Sequence, residues 1–265
     1  MTQTGARTTG SFCWLELATS DIAAAKRFYG ELFGWIPTEI TPEGQPAYTR
    51  FRLHGRDVAG CYHLDPAQCL GVPPHWVTYI QVEDAESAAT RALSLGGKLV
   101  VDPFDVLGLG RAASLQDPCG AYFCIWQPGS LPGFGVTCEP GSACWHELTT
   151  PDPERARDFY TQLFAWETAT SDEEHSLRIK AGGRDSGGIL PLSAAGEGAR
   201  PSWTPYFRVE DCDQAAVRAR EMGGAWRLPP AALPGMGRFA VLEDPQGAVF
   251  AIVQMTKPGK PETRA

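Results

Sequence analysis

Basic residues are scarce in this 265-residue sequence, where 23 Lys and Arg stand against 31 Asp and Glu and the net charge is -8. Binding to nucleic acid or to an anionic membrane surface requires clustered positive charge. Long apolar runs are also absent, and none approaches the roughly 20 residues that span a bilayer. The N-terminal stretch lacks the charged-then-apolar layout of a signal peptide. We therefore expect a cytoplasmic protein that has neither nucleic acid nor a membrane as its partner.

The cysteines form no C-x-x-C pair, and eight of them in 265 residues are too dilute for a secreted disulfide scaffold. Two alternatives remain for them. We favour reduced thiols that act mostly as small buried hydrophobes, and a disulfide between some pair is the other interpretation.

Common nucleotide and nucleophile motifs are missing as well, because the chain has no Walker A loop and no G-x-S-x-G elbow. The stretches 108–113 (GLGRAA) and 235–240 (GMGRFA) fit the pattern G-x-G-x-x-A. A dinucleotide loop of that pattern must open a helix. Each stretch here leads instead into a short apolar segment and a D-P-x-G turn, which predicts a tight bend before a strand. We expect no cofactor.

What the sequence does contain is an internal repeat. Residues 13–35 are CWLELATSDIAAAKRFYGELFGW, and residues 144–166 are CWHELTTPDPERARDFYTQLFAW. Two further stretches, 76–97 and 108–125, return later in the chain as 203–224 and 235–252.

Repetition in a chain of this length predicts two homologous domains. We place the domains at residues 1–130 and 143–265. The segment between them, 131–142, lies in a stretch rich in Pro and Gly, which is typical of a linker.

Within each half the pattern predicts the unit βαβββ twice. Residues 12–18 alternate as a strand does, and Asp21 then stands where a helix N-cap is expected. Short strands are expected near 47–53 and 57–63. The second unit is expected to begin with a strand at 76–82, followed by an Ala-rich helix that ends at Gly96-Gly97. Short strands complete each unit. The sequence thus predicts an α+β fold with helices on one side of mixed sheets.

This layout resembles the vicinal oxygen chelate superfamily, which includes glyoxalase I, bleomycin-resistance proteins and extradiol dioxygenases. The resemblance is carried by LATSDIAAAKRFYGELFGW (17–35), by VEDAESAATRALSLGG (82–97), by LQDPCGAYFCIWQ (115–127) and by their second copies. It covers nearly the whole chain and is strongest to the tandem two-domain branch of actinobacteria. It implies a glyoxalase-like fold, in which paired βαβββ modules form cupped sheets around a site.

Metal-dependent members of that superfamily bind their ion with His, Gln or Glu on inner strands. By the resemblance, the equivalent positions in this chain are Trp14, Val77, Cys124, Trp145, Thr204 and Ala251. Indole has no lone pair for a metal, and a catalytic ion needs three or more converging ligands. We therefore expect no metal ion in either cup. A second alternative is a soft-metal set of Cys61, His63 and Cys124, although core thiols and a solvated histidine are the simpler interpretation.

Strand alternation puts Trp14 and Glu16 on one face, and Trp145 and Glu147 on the equivalent face of the second half. By the resemblance, that face is the concave one. A partly desolvated carboxyl has a raised pKa and can act as a general base, so the catalytic candidates are Glu16 and Glu147. The alternative for both is a structural ion pair with an arginine. The candidate ligand-binding residues are Trp14, Tyr79, Cys61, His63, Cys124, Trp145 and Tyr206.

Three functions fit these features. The first is a metal-independent enzyme of the lyase, isomerase or cyclase type that acts on a small oxygenated metabolite. The second is a resistance-type protein that sequesters a ligand without turnover, and the third is an interaction protein with filled cups. Lactoylglutathione lyase activity is not expected, because that chemistry uses a bound metal. We expect a small-molecule ligand and either a monomer or a homodimer.

Overall fold

The computed structural model describes residues 8–40, 48–65, 72–170, 176–196, 198–233 and 237–255. The first half contains β1 (Phe12–Thr19), α1 (Ile22–Phe33), β2 (Ile36–Ile40), β3 (Tyr48–Leu53), β4 (Arg56–His63), β5 (His75–Gln81), α2 (Ala85–Ser94), β6 (Lys98–Asp105), β7 (Gly110–Gln116) and β8 (Tyr122–Pro128).

The second half repeats this order of elements. It contains β9 (Ala143–Thr150), α3 (Pro153–Phe164), β10 (Glu167–Thr170), β11 (Leu177–Ala181), β12 (Arg184–Pro191), β13 (Ser202–Arg208), α4 (Cys212–Glu221), β14 (Ala225–Leu233), β15 (Gly237–Glu243) and β16 (Val249–Met255), with a short 3-10 helix at Leu192–Ala195.

Each half folds into one eight-stranded mixed sheet. The strand order is β2-β3-β4-β1-β5-β8-β7-β6 in the first sheet and β10-β11-β12-β9-β13-β16-β15-β14 in the second. The two βαβββ units of a half meet where the opening strand of one pairs antiparallel with that of the other, β1 with β5 and β9 with β13. The α+β fold predicted from the sequence is confirmed.

The helices begin and end where local chemistry requires. Asp21 and Asp152 cap α1 and α3 by accepting backbone N–H bonds from Ala24 and Arg155. Each of these helices ends at a residue in the left-handed conformation, Gly34 (φ 72°) in the first half and Ala165 (φ 54°) in the second. Ala165 carries a Cβ in a conformation that suits glycine, so it holds local strain that Gly34 avoids.

The helices lie on the face of each sheet that points toward the other half. Helix α1 contacts α4, and α2 contacts α3, so each helix pair takes one helix from each half. In one shared core, Phe28 and Phe33 of the first half pack against Phe250 of the second. Burial of these aromatic side chains across the boundary stabilises the two halves as one unit.

A hydrogen-bonded interlock closes each shared core. Tyr29 of α1 donates to Asp244 Oδ2 at 3.0 Å, and Trp76 Nε1 donates to the Tyr29 hydroxyl at 3.0 Å. The second copy repeats the arrangement with Tyr160, Asp117 and Trp203. Both carboxylates belong to the D-P-x-G turns, so each turn is hydrogen-bonded to a helix of the opposite half. Burial raises the pKa of Asp117 and of Asp244 above its ordinary value.

Much of the segment between the halves is packed against the rest of the protein. Leu131, Phe134 and Val136 are buried. The Phe134 amide donates to the Cys13 carbonyl at 2.8 Å, and Trp35 Nε1 donates to the Gly141 carbonyl at 2.6 Å. The domain boundaries given above stay a prediction, while the sheets end at Pro128 and restart at Ala143.

The cysteines within the described ranges are free thiols, and several are buried, including Cys13, Cys61 and Cys124. Cys69 lies outside the described residues. Among the helices that the structure describes, none has the length and apolar character needed to cross a membrane.

Candidate functional site

We call the face of the first sheet that points away from the helices the first cup. Trp14 and Glu16 lie on it from β1, and Tyr79 of β5 stands directly opposite Trp14. Cys124 of β8 stands beside Tyr79. The structure therefore brings together four of the residues that the sequence pointed to.

Glu16 is the centre of the first cup. Its Oε2 atom accepts a hydrogen bond from the Tyr79 hydroxyl at 2.5 Å, and its Oε1 atom accepts one from the Tyr48 hydroxyl at 2.7 Å. Trp14 Nε1 donates to the same Tyr48 hydroxyl at 3.2 Å. The tryptophan and the glutamate of the repeated motif are thus joined through the Tyr48 phenol, and a second phenol, Tyr79, binds the glutamate.

Burial raises the pKa of the Glu16 carboxyl above its ordinary value, because desolvation outweighs the hydrogen bonds that favour the charged form. Burial also raises the pKa of Tyr79 and of Tyr48 well above the usual value for a phenol. Both hydroxyls therefore remain protonated donors toward Glu16. A carboxyl whose pKa is raised in this way is a better proton acceptor than an ordinary one.

Tyr48 is the residue of this site that the sequence did not single out. It lies 32 positions from Glu16 in the chain and comes to the cup through the pairing of β3 with β4. Its hydroxyl lies over Gly60, where a Cβ would stand only 1.7 Å from the Tyr48 oxygen. Gly60, directly beside Glu16 in β4, was the one sequence feature that could have indicated a group held close to that strand.

The first cup is also covered from above. The ring of Phe134, from the segment between the halves, lies 5.7 Å from the Trp14 ring, and Trp14 is only 3% exposed. Trp126 stands 6.4 Å from Tyr79 and donates to the Leu131 carbonyl at 3.0 Å. Side chains of the protein itself therefore fill much of the space around Glu16.

We call the equivalent face of the second sheet the second cup. Trp145 and Glu147 lie on it from β9, and Tyr206 of β13 stands opposite Trp145. The Tyr206 hydroxyl donates to Glu147 Oε1 at 2.6 Å, which repeats the bond between Tyr79 and Glu16. The Phe239 ring stacks 6.4 Å from that of Tyr206. The same pair of a carboxylate and a phenol therefore stands at the centre of both cups.

The repeated cysteine has a local role in the same motif. Cys13 Sγ lies 3.5 Å from the Tyr79 carbonyl, and Cys144 Sγ lies 3.5 Å from the Tyr206 carbonyl. Next to each cysteine the pairing of the strands shifts register. Each thiol thus lies at the register shift that precedes the Trp and Glu of the cup.

Two candidate residues are placed outside the first cup. In β4, Cys61 pairs beside Leu17 and His63 beside Thr19, one position out of phase with Gly60 and Glu16. Because strand side chains alternate, both residues belong to the helix-bearing face. Cys61 is fully buried in the shared core, and His63 is exposed. Cys61 and His63, which were expected to bind the ligand, therefore do not line the first cup.

The arginines that could have neutralised the glutamates are engaged elsewhere. Arg52 binds Asp57 at 2.8 Å and Arg111 binds Glu86, while Arg238 binds Asp213 at 2.8 Å. Arg50 also pairs with Asp57, at 3.3 Å, and Arg208 donates to the Cys138 carbonyl at 2.6 Å.

Outside the cups, His146 is buried at 4% exposure and its ring stacks on Phe12 at 4.1 Å. This position at the helix-bearing face agrees with a structural role rather than a catalytic one.

The inner strand positions offer poor ligands for a metal ion. Trp14 directs its indole N–H to Tyr48, and burial raises the pKa of the Cys124 thiol to about 12, so that thiol stays protonated. A protonated thiol and an indole are poor ligands. Within the described ranges, no group of three or more His, Cys, Asp and Glu side chains could hold an ion. The residues at these positions do not fit the metal centre that the superfamily implies.

Paired βαβββ units, one cup per eight-stranded sheet and two sheets in tandem define a two-domain protein of the glyoxalase-like class. Residues 11–125 match the family described as the Glyoxalase/Bleomycin resistance protein/Dioxygenase superfamily, and residues 145–253 match that described as a Glyoxalase-like domain. The chain belongs to this superfamily.

Two relatives match almost the whole chain. A Mycobacterium tuberculosis protein named "Putative glyoxylase CFP32" is 35% identical over 246 residues, which cover 91% of this chain and 93% of the relative. The "Anthracycline biosynthesis protein DnrV" of Streptomyces peucetius is 36% identical over 259 residues, which cover 93% of this chain and 94% of the relative.

Solved structures share the fold at low sequence identity. The Mn(II)-bound glyoxalase from Novosphingobium aromaticivorans has a TM-score of 0.66 at 15% identity, covering 96% of this chain and 83% of that one. The 2,3-dioxygenase LapB from Pseudomonas sp. KL28 has a TM-score of 0.66 at 11% identity, covering 98% and 97%. At such identities the likeness concerns the fold alone.

Proposed function

We propose that this protein binds a small oxygenated metabolite in an aromatic cup without a metal ion, and that a glutamate of the cup acts on it as a general base. The observation that carries the proposal is the pair of a carboxylate and a phenol, Glu16 with Tyr79 and Glu147 with Tyr206, at the same place in both sheets. Such a pair can accept a hydrogen-bond donor of the ligand and hold a proton taken from it.

The aromatic surroundings support a small organic ligand. Trp145 and Phe239 are only partly buried, and they flank the bond between Tyr206 and Glu147. Ligand sites typically combine apolar walls with a few placed polar groups, and the second cup has this composition.

The side chains at the inner strand positions support a site that works without a metal ion. Trp14, Val77 and Cys124 in one half, and Trp145, Thr204 and Ala251 in the other, offer no three ligands of the kind that zinc, nickel, iron or manganese takes in catalytic sites. A carboxylate with a raised pKa can instead remove a proton next to a carbonyl, which suits an isomerase, lyase or cyclase reaction. The role of DnrV in anthracycline biosynthesis agrees with an oxygenated organic substrate.

Sequestration of the ligand without turnover is the second candidate. It is favoured by the state of Glu16, whose two oxygens both accept hydrogen bonds from tyrosines of the protein. A carboxylate whose two oxygens are both hydrogen-bonded in this way is better suited to a structural role than to the role of a general base.

One experiment tests the proposal. Protein purified without chelators would be examined by elemental analysis and by native mass spectrometry, and any released ligand would be offered back to the apo protein. We expect metal well below one equivalent per chain and a bound organic molecule. If the protein is an enzyme, Glu147→Gln should abolish conversion of that molecule. If it is a pure binder, the wild type should bind the molecule without converting it. Glu221→Gln on the exposed end of α4 serves as the matched control. One equivalent of metal held by the cup would overturn the proposal.

A further inference from the structure

The first cup has a basic wall, although the chain as a whole is acidic. Strand β3 alternates between buried and half-buried positions, and the half-buried ones are Tyr48, Arg50 and Arg52. Because the Tyr48 hydroxyl reaches Glu16 in the cup, alternation places both arginines on the cup face as well. The register agrees, since Arg50 stands beside Gly60 and Gly60 stands beside Glu16. We call this pair, Arg50 and Arg52, the arginine wall.

The two arginines of the wall share a single acid. Arg52 Nε donates to Asp57 Oδ1 at 2.8 Å, and Arg50 Nη1 donates to Asp57 Oδ2 at 3.3 Å. The Arg50 Nε atom is buried and has no hydrogen-bond partner among the described residues. The wall therefore carries more positive than negative charge, and the ion pair with Asp57 leaves the Arg50 guanidinium incompletely satisfied.

The second half repeats this arrangement. Arg178 stands beside Gly188 in the register that pairs β11 with β12, and Lys180 follows two residues later at an exposed position. Asp185 Oδ2 lies 3.7 Å from Arg178 Nη1. Two basic residues and one acid thus occupy the same places in both sheets. The excess of positive charge belongs to the repeated architecture and is not an accident of one surface ion pair.

The arginine wall is accessible and lies close to the centre of the first cup. The side chains of Arg50 and Arg52 are 18% and 37% exposed. Neighbouring strands lie about 4.8 Å apart, so the backbone of Arg50 is about 10 Å from that of Glu16, with Gly60 between them. The Tyr48 hydroxyl lies over that glycine. A small organic molecule is long enough to reach from the wall to the carboxyl.

We propose that the arginine wall is an anion subsite, which binds the carboxylate of a small oxygenated ligand through Arg50 and Arg52. The rest of the ligand then lies along Tyr48 toward Glu16 and Trp14. This inference rests on the proposed function and adds to it the class of ligand, a carboxylic acid.

The geometry of the wall explains the choice of a carboxylate. A guanidinium presents its N–H groups in a planar fork that matches the two oxygens of a carboxylate. Asp57 already binds in this manner, with one oxygen on each arginine. A second carboxylate would offset the remaining positive charge. Hydrogen bonds between charged groups are among the stronger ones, so replacing the carboxylate by a neutral amide should weaken binding by about tenfold or more.

The test uses 2-naphthoate as the probe and 2-naphthamide as the matched neutral control. The two molecules share their shape and their aromatic ring, which suits the indole of Trp14, and they differ in charge. Binding to the full chain would be measured by equilibrium dialysis. We expect saturable binding of 2-naphthoate, and binding of the amide that is weaker by about tenfold or more.

Two variants should move the affinity in opposite directions. Arg50→Gln should weaken binding of one equivalent of 2-naphthoate by about tenfold or more. Asp57→Asn removes the charge that competes for both arginines, so it should strengthen binding by about two- to fivefold, the effect of one charge at a partly exposed site. Arg218→Gln, on the exposed face of α4, is the control that should leave binding unchanged. Melting temperatures would show that each variant is folded.

Equal binding of 2-naphthoate and its amide, no saturable binding of 2-naphthoate, or weaker binding in a folded Asp57→Asn would each overturn the inference. The comparison of the two probes needs only the wild type, so it decides the matter even if Arg50→Gln does not fold. If native mass spectrometry found an oxygenated ligand without a carboxylate, the proposed function would stand and the inference alone would fall. One equivalent of metal in the cup would instead overturn the proposed function.

Discussion

The hydroxyl of Tyr29, in the first half of the chain, donates a hydrogen bond at 3.0 Å to Asp244 in the second half. Tyr160 returns the same bond to Asp117 in the first half. Each tyrosine comes from the repeated helix and each aspartate from a D-P-x-G turn, so the two copies of the repeat hold each other.

Removing the Tyr29 hydroxyl should therefore destabilise the whole protein. In Tyr29→Phe, the buried Asp244 loses a donor and Trp76 Nε1 loses its acceptor. Leaving two buried groups without partners costs about 2 to 4 kcal/mol of the free energy of unfolding. Urea unfolding followed by tryptophan fluorescence measures it. Tyr160→Phe should behave alike, and Tyr122→Phe, at 55% exposure, is the control that should change little. A change below about 0.5 kcal/mol for Tyr29→Phe would contradict the role of the interlock.

The C-cap of α3 offers a stabilising substitution. Ala165 holds a left-handed conformation at φ 54° and is exposed, so Ala165→Gly removes a strained Cβ without removing a contact. We expect a gain of about 1 kcal/mol in the free energy of unfolding. The reciprocal change, Gly34→Ala at φ 72° in α1, should cost a similar amount, because a Cβ there meets nothing within 4 Å and only the backbone is strained. Thermal and urea unfolding would check both, and a loss of stability in Ala165→Gly would refute the argument.

Glu16 should make stability depend on pH in a defined direction. Burial raises the pKa of its carboxyl in the folded protein, so the protonated form is favoured on folding. Its contribution to stability is fully present below the unfolded pKa and is lost as pH rises through the folded pKa. The free energy of unfolding of the wild type, minus that of Glu16→Gln, should therefore fall as pH rises from about 4, the ordinary pKa of a glutamate, through the raised pKa of the folded protein.

Urea unfolding at a series of pH values measures that difference. Asp117 and Asp244 titrate with the same sign but are present in both proteins and cancel. Glu221→Gln, at an exposed position of α4, removes a surface carboxylate and is the control variant. A difference that grows with pH would mean that the pKa of Glu16 is lowered rather than raised.

The cysteines should differ sharply in reactivity. Burial raises the pKa of Cys61 and of Cys124 to about 12, so almost no thiolate is present at neutral pH. Cys138 is exposed in the segment between the halves. Iodoacetamide at pH 8 should label Cys138 first and should reach Cys61 and Cys124 only after denaturation, as peptide mapping by mass spectrometry would show. Rapid labelling of Cys124 in the native protein would indicate that the first cup is open to solvent.

Much of this protein was determined by local sequence. The repeat predicts the two sheets, Asp21 and Asp152 predict where helices begin, and alternation places Trp14 with Glu16 and Trp145 with Glu147 on one face. These features depend on neighbouring residues only, and backbone sterics and hydrogen bonding fix them within a few positions.

Tertiary structure decided the rest. Strand register alone brought Tyr48 to Glu16 and put Cys61 and His63 on the helix-bearing face. The exchange of hydrogen bonds between Tyr29 and Asp244 joins residues 215 positions apart. Such contacts follow from how sheets pair and pack, and a shift of register by one residue would reverse them, so no local pattern in the chain specifies them.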